Sequence, residues 1–199
     1  MKKIFLLLSF AFSISAAPWK MHIIDNTSRG ADGVRLKDIN KDGLPDIATG
    51  WEEGGVIRTY LNPGPKKVKQ PWPHTEVGQV KSPEDAVFTD LDGDGNFDVV
   101  SSCEGKTRTL YFHWAPDFGS KAKVVKWQTQ ALPVTAGKQS WMFALPLQVD
   151  GGGMDLVLGS KGGGATIGWL QSPKNPRDIK AWKYHPWYQA GWIMSLISH

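Results

Sequence analysis

Two segments of the chain carry acidic residues at a spacing that suits a hard cation. They are residues 38–46 (DINKDGLPD) and 90–98 (DLDGDGNFD), and both follow the pattern D-x-[DN]-x-D-G-x-x-D. Side-chain oxygens at positions 1, 3, 5 and 9 and a backbone carbonyl at position 7 can surround one ion, while glycine at position 6 permits the sharp reversal. An all-oxygen set favours Ca²⁺ over Zn²⁺ or Mg²⁺. The predicted calcium ligands are Asp38, Asn40, Asp42, Leu44, Asp46, Asp90, Asp92, Asp94, Asn96 and Asp98.

The two loops differ from an EF-hand, and a third segment departs from both. An EF-hand requires Glu at position 12 between two helices, whereas Thr49 and Ser101 stand there and both flanks resemble strands. Residues 147–155 (LQVDGGGMD) keep the glycine turn but lose most ligand positions. Because Asp150 and Asp155 alone are not expected to hold calcium, this third loop is predicted to turn by glycine chemistry without a metal.

The elements that must position these loops repeat along the chain. Tryptophans at 19, 72, 127 and 182 are 53, 55 and 55 residues apart, and the Pro-terminated and glycine–aspartate segments keep the same register. A unit of about 54 residues that holds four short strands bounded by Gly, Pro or Asp is typical of a β-propeller blade. The prediction is an all-β fold with three four-stranded antiparallel blades and a partial fourth. The predicted ranges are blades at about 30–77, 82–132 and 139–187, a partial blade at 191–199, and a closing outer strand at 19–24.

The loop segments also carry a family resemblance. DINKDGLPDIATG and DLDGDGNFDVVSS resemble FG-GAP/VCBS-type repeats, a family of calcium-loop propellers that includes the heads of integrin α chains. The resemblance implies a Ca²⁺-stabilised propeller over residues 18–199, with each ion between the two inner strands of a blade. It implies no single activity, because the family spans adhesion modules, lectin-like domains and polysaccharide-active enzymes.

A second candidate site lies on the face opposite the loops, here called the mouth. In each blade the first strand begins there and the second strand ends there, which places Asp32, Cys103, Glu104, Ser140 and Lys161 at the mouth. Carboxylates beside indole faces suit a sugar, and a carboxyl of raised pKa can do acid/base work. The alternative is that the tryptophans pack between blades and the acids are solvated. The predicted ligand contacts are Trp51, Glu53, Trp141 and Trp192, and the weak catalytic or second-metal candidates are Glu52, Glu84 and Asp85.

The first 17 residues have the features of a secretory signal peptide: Lys2 and Lys3, an apolar run at 4–14 and small residues at 15–17. We therefore expect a periplasmic or extracellular protein, where calcium is plentiful. The apolar run is shorter than a membrane-spanning helix needs, so no transmembrane anchor is expected. A formal net charge of +4 over 199 residues is too small to indicate nucleic-acid binding. The single cysteine, Cys103, excludes an internal disulfide framework and a cysteine-built zinc site.

Three blades and a fragment fall short of the four to eight blades of typical propellers. The prediction is an incomplete chain, for which further blades or self-association would close the ring. The leading functional hypothesis is a secreted calcium-binding module for carbohydrate or another extracellular ligand. The alternatives are a sugar lyase or dehydratase, because the GADG, GWEEGG and SPED segments loosely resemble such propeller enzymes, and a cell-surface adhesion or structural module.

Overall fold

A computed structural model describes residues 19–117 and 126–193. The described ranges contain twelve β-strands and no helix, and hence none that is long and apolar enough to cross a membrane. The predicted signal peptide at 1–17 and residues 194–199 of the predicted partial blade lie outside the described residues.

The strands form three sheets, each a four-stranded antiparallel meander in chain order. The first sheet contains β1 (Ala31–Lys37), β2 (Asp46–Trp51), β3 (Val56–Tyr60) and β4 (His74–Gln79). The second contains β5 (Pro83–Thr89), β6 (Asp98–Cys103), β7 (Leu110–Trp114) and β8 (Gln128–Ala131). The third contains β9 (Ser140–Pro146), β10 (Leu156–Lys161), β11 (Thr166–Gln171) and β12 (Lys183–Gln189). The all-β fold of propeller-like blades is confirmed, and each sheet begins and ends within two residues of the corresponding predicted blade.

Most of the core lies in two layers between the sheets, which explains why the middle strands are largely buried on both faces. Every residue of β6 (DVVSSC) is buried, as expected for a strand covered on both sides. One layer between the first two sheets includes Ile57, Phe88 and Val99. Large aromatic side chains fill the other layer, between the second and third sheets, where Phe112 packs edge-on against Trp182 at a centroid distance of 5.0 Å.

The first strands of the three blades lie side by side, with β1 against β5 and β5 against β9. Gly33 permits the first of these contacts: its φ is +56°, and a Cβ there would lie 2.4 Å from the Cα of Asp85. Within the described ranges the sheets do not close into a ring. Val34 and Leu36 on β1 are exposed, and covering by further blades or by another copy stays a prediction.

The two chain ends differ from the predicted elements. Residues 19–24 form no strand, and Trp19 is 99% exposed. No described strand pairs with them, and a strand is defined by its ladder of hydrogen bonds. The Ile24 carbonyl accepts the Trp72 N–H at 2.8 Å. The described part of the predicted fourth blade returns to the third sheet instead, because Trp192 forms a β-bridge with Lys161 at the end of β10.

Candidate metal centre and the opposite mouth

The first aspartate loop, residues 38–46, joins β1 to β2 and is shaped by its own backbone. The carboxylate of Asp38 accepts the N–H groups of Asp42 at 3.1 Å and Gly43 at 2.8 Å. The Asp42 carboxylate accepts the Leu44 N–H at 2.8 Å. Gly43 has a φ of +84°, a conformation that glycine adopts without strain. The loop therefore holds its position-1 and position-5 carboxylates in a fixed turn.

The second loop, residues 90–98, joins β5 to β6 and repeats this scaffold. Asp90 accepts the N–H groups of Gly93 at 2.9 Å and Gly95 at 3.1 Å, and Asp94 accepts the N–H of Asn96 at 2.8 Å. The two loops thus share the bonds from the position-6 N–H to position 1 and from the position-7 N–H to position 5, and they differ in the second N–H that position 1 accepts.

The second loop also brings three carboxylates together. Oxygens of Asp90, Asp92 and Asp98 all lie within 4.8 Å of one another, as a shared cation requires. Among the described residues, the acids of the first loop form no such three-carboxylate cluster. The first loop has an amide, Asn40, at the position where the second has Asp92, so one of its oxygen ligands would be uncharged.

Position 3 separates the two loops chemically. The Asn40 side-chain amide donates to the Asp42 carboxylate at 3.0 Å, and its oxygen accepts the Asp42 N–H at 3.1 Å. Asp92 accepts the Asp94 N–H at 3.3 Å through one oxygen and the Nε of Arg177 at 2.6 Å through the other. Sequence reasoning missed Arg177, which lies 85 residues away in the third blade and has no local signal in the loop motif.

The aspartate at position 9 has a structural role in all three blades that sequence reasoning did not assign to it. Asp46, Asp98 and Asp155 are buried at 0–1% exposure. Each accepts one N–H from the start of its loop and one from just beyond the third strand of its blade, at 2.7–3.1 Å. The donor pairs are Ile39 and Asn62, Leu91 and Ala115, and Val149 and Ser172. We call this arrangement the clasp.

Burial disfavours the ionised form of the clasp aspartate in the second blade, Asp98. It raises the pKa of the Asp98 carboxyl to about 7, although the N–H groups of Ala115 and Leu91 oppose the shift. A cation held beside Asp98 would favour the ionised form. The position-9 aspartate of the second blade therefore fits both a backbone clasp and a metal ligand.

The third loop has a different set of partners. Gly151 turns the chain with a φ of +82°, and exposed Asp150 accepts the Gly152 N–H at 2.9 Å and the Gln171 amide at 2.8 Å. Buried Asp155 makes the clasp. Leu147, Val149 and Gly151 thus stand at the positions that side-chain oxygen ligands fill in the other loops, and the absence of metal from this loop stays a prediction.

At the mouth, the structure brings together three of the predicted acids. Carboxylate oxygens of Asp32, Glu52 and Glu84 lie within 4.8 Å of one another. Lys161 of β10 reaches this group from the third blade, with its Nζ 3.5 Å from Glu84 and in contact with the Glu104 carboxylate. Burial, followed by the nearby Glu104, raises the pKa of Glu84 to about 7, and Lys161 opposes the shift.

Asp85, the third acid/base candidate, lies in an ion pair between two blades, and its predicted catalytic role stays a prediction. It is 2% exposed and forms a bidentate ion pair with Arg35, whose Nε and Nη2 lie 2.8–3.0 Å from its two oxygens. This pair links β1 to β5 across the first two blades. Because a bidentate guanidinium pair fixes the orientation of the carboxylate, the contact seen in the structure gives Asp85 a role in joining the two blades.

The three tryptophans predicted to contact a ligand differ in how far they are buried. Trp51 and Trp141 are 6% and 1% exposed, and their indole N–H groups donate to the Tyr60 hydroxyl and to the Thr135 carbonyl. Both rings pack in the core, which agrees with the alternative stated for the tryptophans, and their contact with a ligand stays a prediction. Trp192 is 61% exposed, with the Lys161 Nζ 5.4 Å from its ring centroid.

A groove beside the mouth contains the remaining predicted contact. It has a volume of about 800 Å³ and is lined by Glu52, Glu53, Lys81 and the turn after β2. Glu53 is exposed and lies 3.7 Å from the Arg29 Nε. Cys103, by contrast, is buried, and burial raises the pKa of its thiol to about 12, so it is a packed side chain and not a nucleophile.

Residues 38–101 match the family model of the FG-GAP-like repeat. This stretch is an FG-GAP-like repeat. It contains both aspartate loops and the strands β2 to β5 in full, so the resemblance carried by the loop motifs is confirmed. FG-GAP repeats commonly bind calcium, and the carboxylate cluster at Asp90, Asp92 and Asp98 lies inside the matched residues. No curated protein matches the chain.

Proposed function

We propose that the two aspartate loops of the FG-GAP-like repeat each bind one Ca²⁺, and that the ions stabilise the first two blades of an exported β-propeller protein. The convergence of Asp90, Asp92 and Asp98 within 4.8 Å carries this proposal. Backbone N–H groups already hold the loop in shape, so an entering ion finds ligands with little conformational freedom left to lose.

The donor chemistry fits Ca²⁺ at both loops. In the second loop Asp90, Asp92, Asp94 and Asp98 would supply carboxylate oxygens and Asn96 its backbone carbonyl, which is the hard all-oxygen set that Ca²⁺ prefers. In the first loop Asp38, Asn40, Asp42 and Asp46 would act with the Leu44 carbonyl. Calcium supplies positive charge that offsets the repulsion among these carboxylates, and an ion that binds only the folded blades stabilises them.

The test is a thermal unfolding experiment with Ca²⁺, Mg²⁺ or chelator. We expect Ca²⁺ to raise Tm and Mg²⁺ to raise it much less. Ca²⁺ accepts many oxygen ligands in a flexible geometry, whereas Mg²⁺ requires a nearly ideal octahedral set. The double variant Asp90→Ala/Asp94→Ala should lose about half of the shift, and Asp38→Ala/Asp42→Ala the other half. Asp150→Ala in the third loop is the matched control and should retain it all. A parent protein with the same Tm in Ca²⁺ and chelator would refute the proposal.

For the ligand, we propose carbohydrate bound at the mouth, in a calcium-rich compartment outside the cytoplasm. The support is an exposed indole, Trp192, next to Lys161 and so near Glu84, together with a separate groove of about 800 Å³ lined by Glu52 and Glu53. Sugar C–H faces stack on indoles and sugar hydroxyls donate to carboxylates. The burial of Trp51 and Trp141 confines the aromatic part of this surface to the third-blade side.

A glycan array with the calcium-loaded protein tests this proposal. We expect binding that Trp192→Ala weakens at least tenfold, whereas Trp187→Ala on β12 leaves it within twofold. Trp187 is the matched control because it is 52% exposed and lies on an outer strand. Absence of any glycan ligand, or equal losses for the two variants, would count against a carbohydrate site at the mouth.

One observation favours an enzyme as the alternative: the pKa of Glu84 at about 7 beside Lys161. A carboxyl that titrates near neutral pH is suited to proton transfer, and a lyase or dehydratase acting on a sugar needs such a base. Here Glu84→Gln and Glu52→Gln should abolish turnover, while Asp85→Asn should lower stability without a specific loss of turnover per folded molecule. Full activity of Glu84→Gln would exclude this alternative.

A further inference from the structure

One cation of the chain already lies at the second aspartate loop. Arg177, in the connection between β11 and β12, extends from the third blade to the loop of the second. Its Nε lies 2.6 Å from an Asp92 oxygen and its Nη2 lies 4.0 Å from an Asp94 oxygen. The guanidinium therefore lies against two of the carboxylates that the proposed Ca²⁺ would bind.

The first loop has an amide at position 3 where the second has a carboxylate paired with Arg177. There the position-3 residue is Asn40, whose amide N–H donates to the position-5 carboxylate of Asp42 at 3.0 Å. The second loop has a carboxylate at position 3, which raises its acid count from three to four. Its counter-charge is supplied from the neighbouring blade, because an N–H of Arg177 contacts Asp92.

We propose that Arg177 is a resident counter-cation that competes with Ca²⁺ for the second loop, and so couples ion binding there to the contact between the second and third blades. This inference rests on the proposed calcium function. Like charges repel, so a divalent ion among Asp90, Asp92 and Asp94 and a guanidinium on Asp92 disfavour each other.

The arginine has an anchored backbone and a partly exposed side chain, whose guanidinium is held by Asp92 and by an aromatic ring. Its guanidinium carbon lies 4.3 Å from the ring centroid of buried Trp114. The preceding carbonyl of Pro176 accepts the Trp182 indole N–H at 2.9 Å, which anchors the backbone in the aromatic core. The side chain itself is 38% exposed.

There is also space into which the guanidinium can move. A groove of about 670 Å³ separates the second loop from the third blade and is lined by Asp92, Met154, Lys174 and Pro176. Displacement of Arg177 from Asp92 would remove the ion pair between the β11–β12 connection and the second loop, while Trp182 keeps its packing against Phe112. Calcium binding at the second loop would then change the contacts of residues 175–181, which contain no predicted ligand.

The experiment measures Ca²⁺ affinity by calorimetry in the full chain carrying Asp38→Ala/Asp42→Ala, which leaves the second loop as the site measured. Arg177→Gln should tighten binding about tenfold, the Coulombic effect of removing a unit charge roughly 6 Å from a divalent ion in water. Arg177→Lys keeps the charge and should stay within threefold of the parent. Lys180→Gln, in the same connection, is the matched neutralisation and should change Kd less than twofold.

Unchanged or weaker binding by Arg177→Gln overturns the competition, and so does an equal gain for Lys180→Gln. The Arg177→Gln exchange made in the intact two-loop chain repeats the test where the background variant folds poorly: it should tighten one of two dissociation constants and leave the other. A parent that binds no Ca²⁺ at all overturns the calcium proposal itself. A parent that binds Ca²⁺ with the same dissociation constant as Arg177→Gln overturns this inference alone.

Hydrogen exchange gives a second readout that affinity does not. In the parent, Ca²⁺ should speed exchange of the Asp178, Ile179 and Ala181 amides, which form the turn hydrogen bonds of this connection. In Arg177→Gln the same amides should exchange at one rate with and without Ca²⁺. Slower exchange in the calcium-loaded parent would contradict the displacement of Arg177.

Discussion

The second and third blades join their first two strands through nine-residue loops of equal length and unlike composition. Residues 90–98 place carboxylates at positions 1, 3 and 5, where residues 147–155 have Leu147, Val149 and Gly151. Both loops nevertheless end in a buried aspartate that accepts two backbone N–H groups. The hairpin is therefore built by the position-9 clasp and glycine, and the other carboxylates of the second loop are available for a cation.

The largest expected effect is loss of the clasp in the loop without carboxylate ligands. Asp155→Ala removes the acceptor of the Val149 and Ser172 N–H groups and leaves them unpaired near the core. Hydrogen bonds to charged groups contribute about 1.5–3 kcal/mol each, so we expect a loss of about 3 kcal/mol in the free energy of unfolding. Urea denaturation in Ca²⁺ and in chelator should give the same loss.

The control for that variant is Asp150→Ala, in the same loop but exposed, which should cost far less. A loss at Asp155 that appears only in the presence of Ca²⁺ would mean that the third loop binds metal after all. In that case Asp155 would act as a metal ligand and not only as an acceptor of backbone hydrogen bonds.

A smaller effect is the pH dependence of folding stability that Glu84 gives to the mouth. The pKa of Glu84 is about 7 in the folded protein against an ordinary value of 4.5, so the folded state holds a proton that the unfolded state releases. Stability conferred by this group is therefore present below about pH 4.5 and declines as pH rises through 7, by about 2 kcal/mol after allowance for solvent screening.

Glu84→Gln should flatten this decline, since an amide does not titrate. Denaturant midpoints of parent and variant between pH 4.5 and 8, measured in chelator, would show it. Parallel pH profiles for the two proteins would place the Glu84 pKa near its ordinary value and weaken the acid/base alternative.

The smallest effect tests the difference between the first two loops. Asn40→Asp gives the first loop a fourth carboxylate without an arginine to balance it, and it removes the hydrogen bond to Asp42. We expect the calcium-free protein to lose about 0.5 kcal/mol, the low end for an exposed hydrogen bond. Calcium affinity of that loop should rise severalfold, because ligand charge count tunes these sites. A weakened affinity would show that the Asn40 amide is needed to orient Asp42.

Features that depend on local spacing were predictable from the sequence. The D-x-[DN]-x-D-G-x-x-D motif identified both loops because their turns close within a few residues, and the 54-residue period predicted the blades. The mouth followed from antiparallel pairing, which brought Asp32, Glu52 and Glu84 together.

Contacts between blades were not predictable, because nothing within a motif signals a partner many residues away. Arg35 holds Asp85 across 50 residues, and Arg177 reaches Asp92 across 85. Trp51 has the sequence neighbours of a mouth residue, yet its ring packs inward near Tyr60. Its position along the strand was predicted, but the direction of the side chain depends on the neighbouring sheet.

The measurement that tests the account most directly is calcium stoichiometry by equilibrium dialysis, with the metal quantified per folded chain. We expect two Ca²⁺ in the parent and one in each of Asp38→Ala/Asp42→Ala and Asp90→Ala/Asp94→Ala, with Asp150→Ala still at two. A parent that retains no calcium, or a chain that binds equally with both aspartate loops removed, would contradict it.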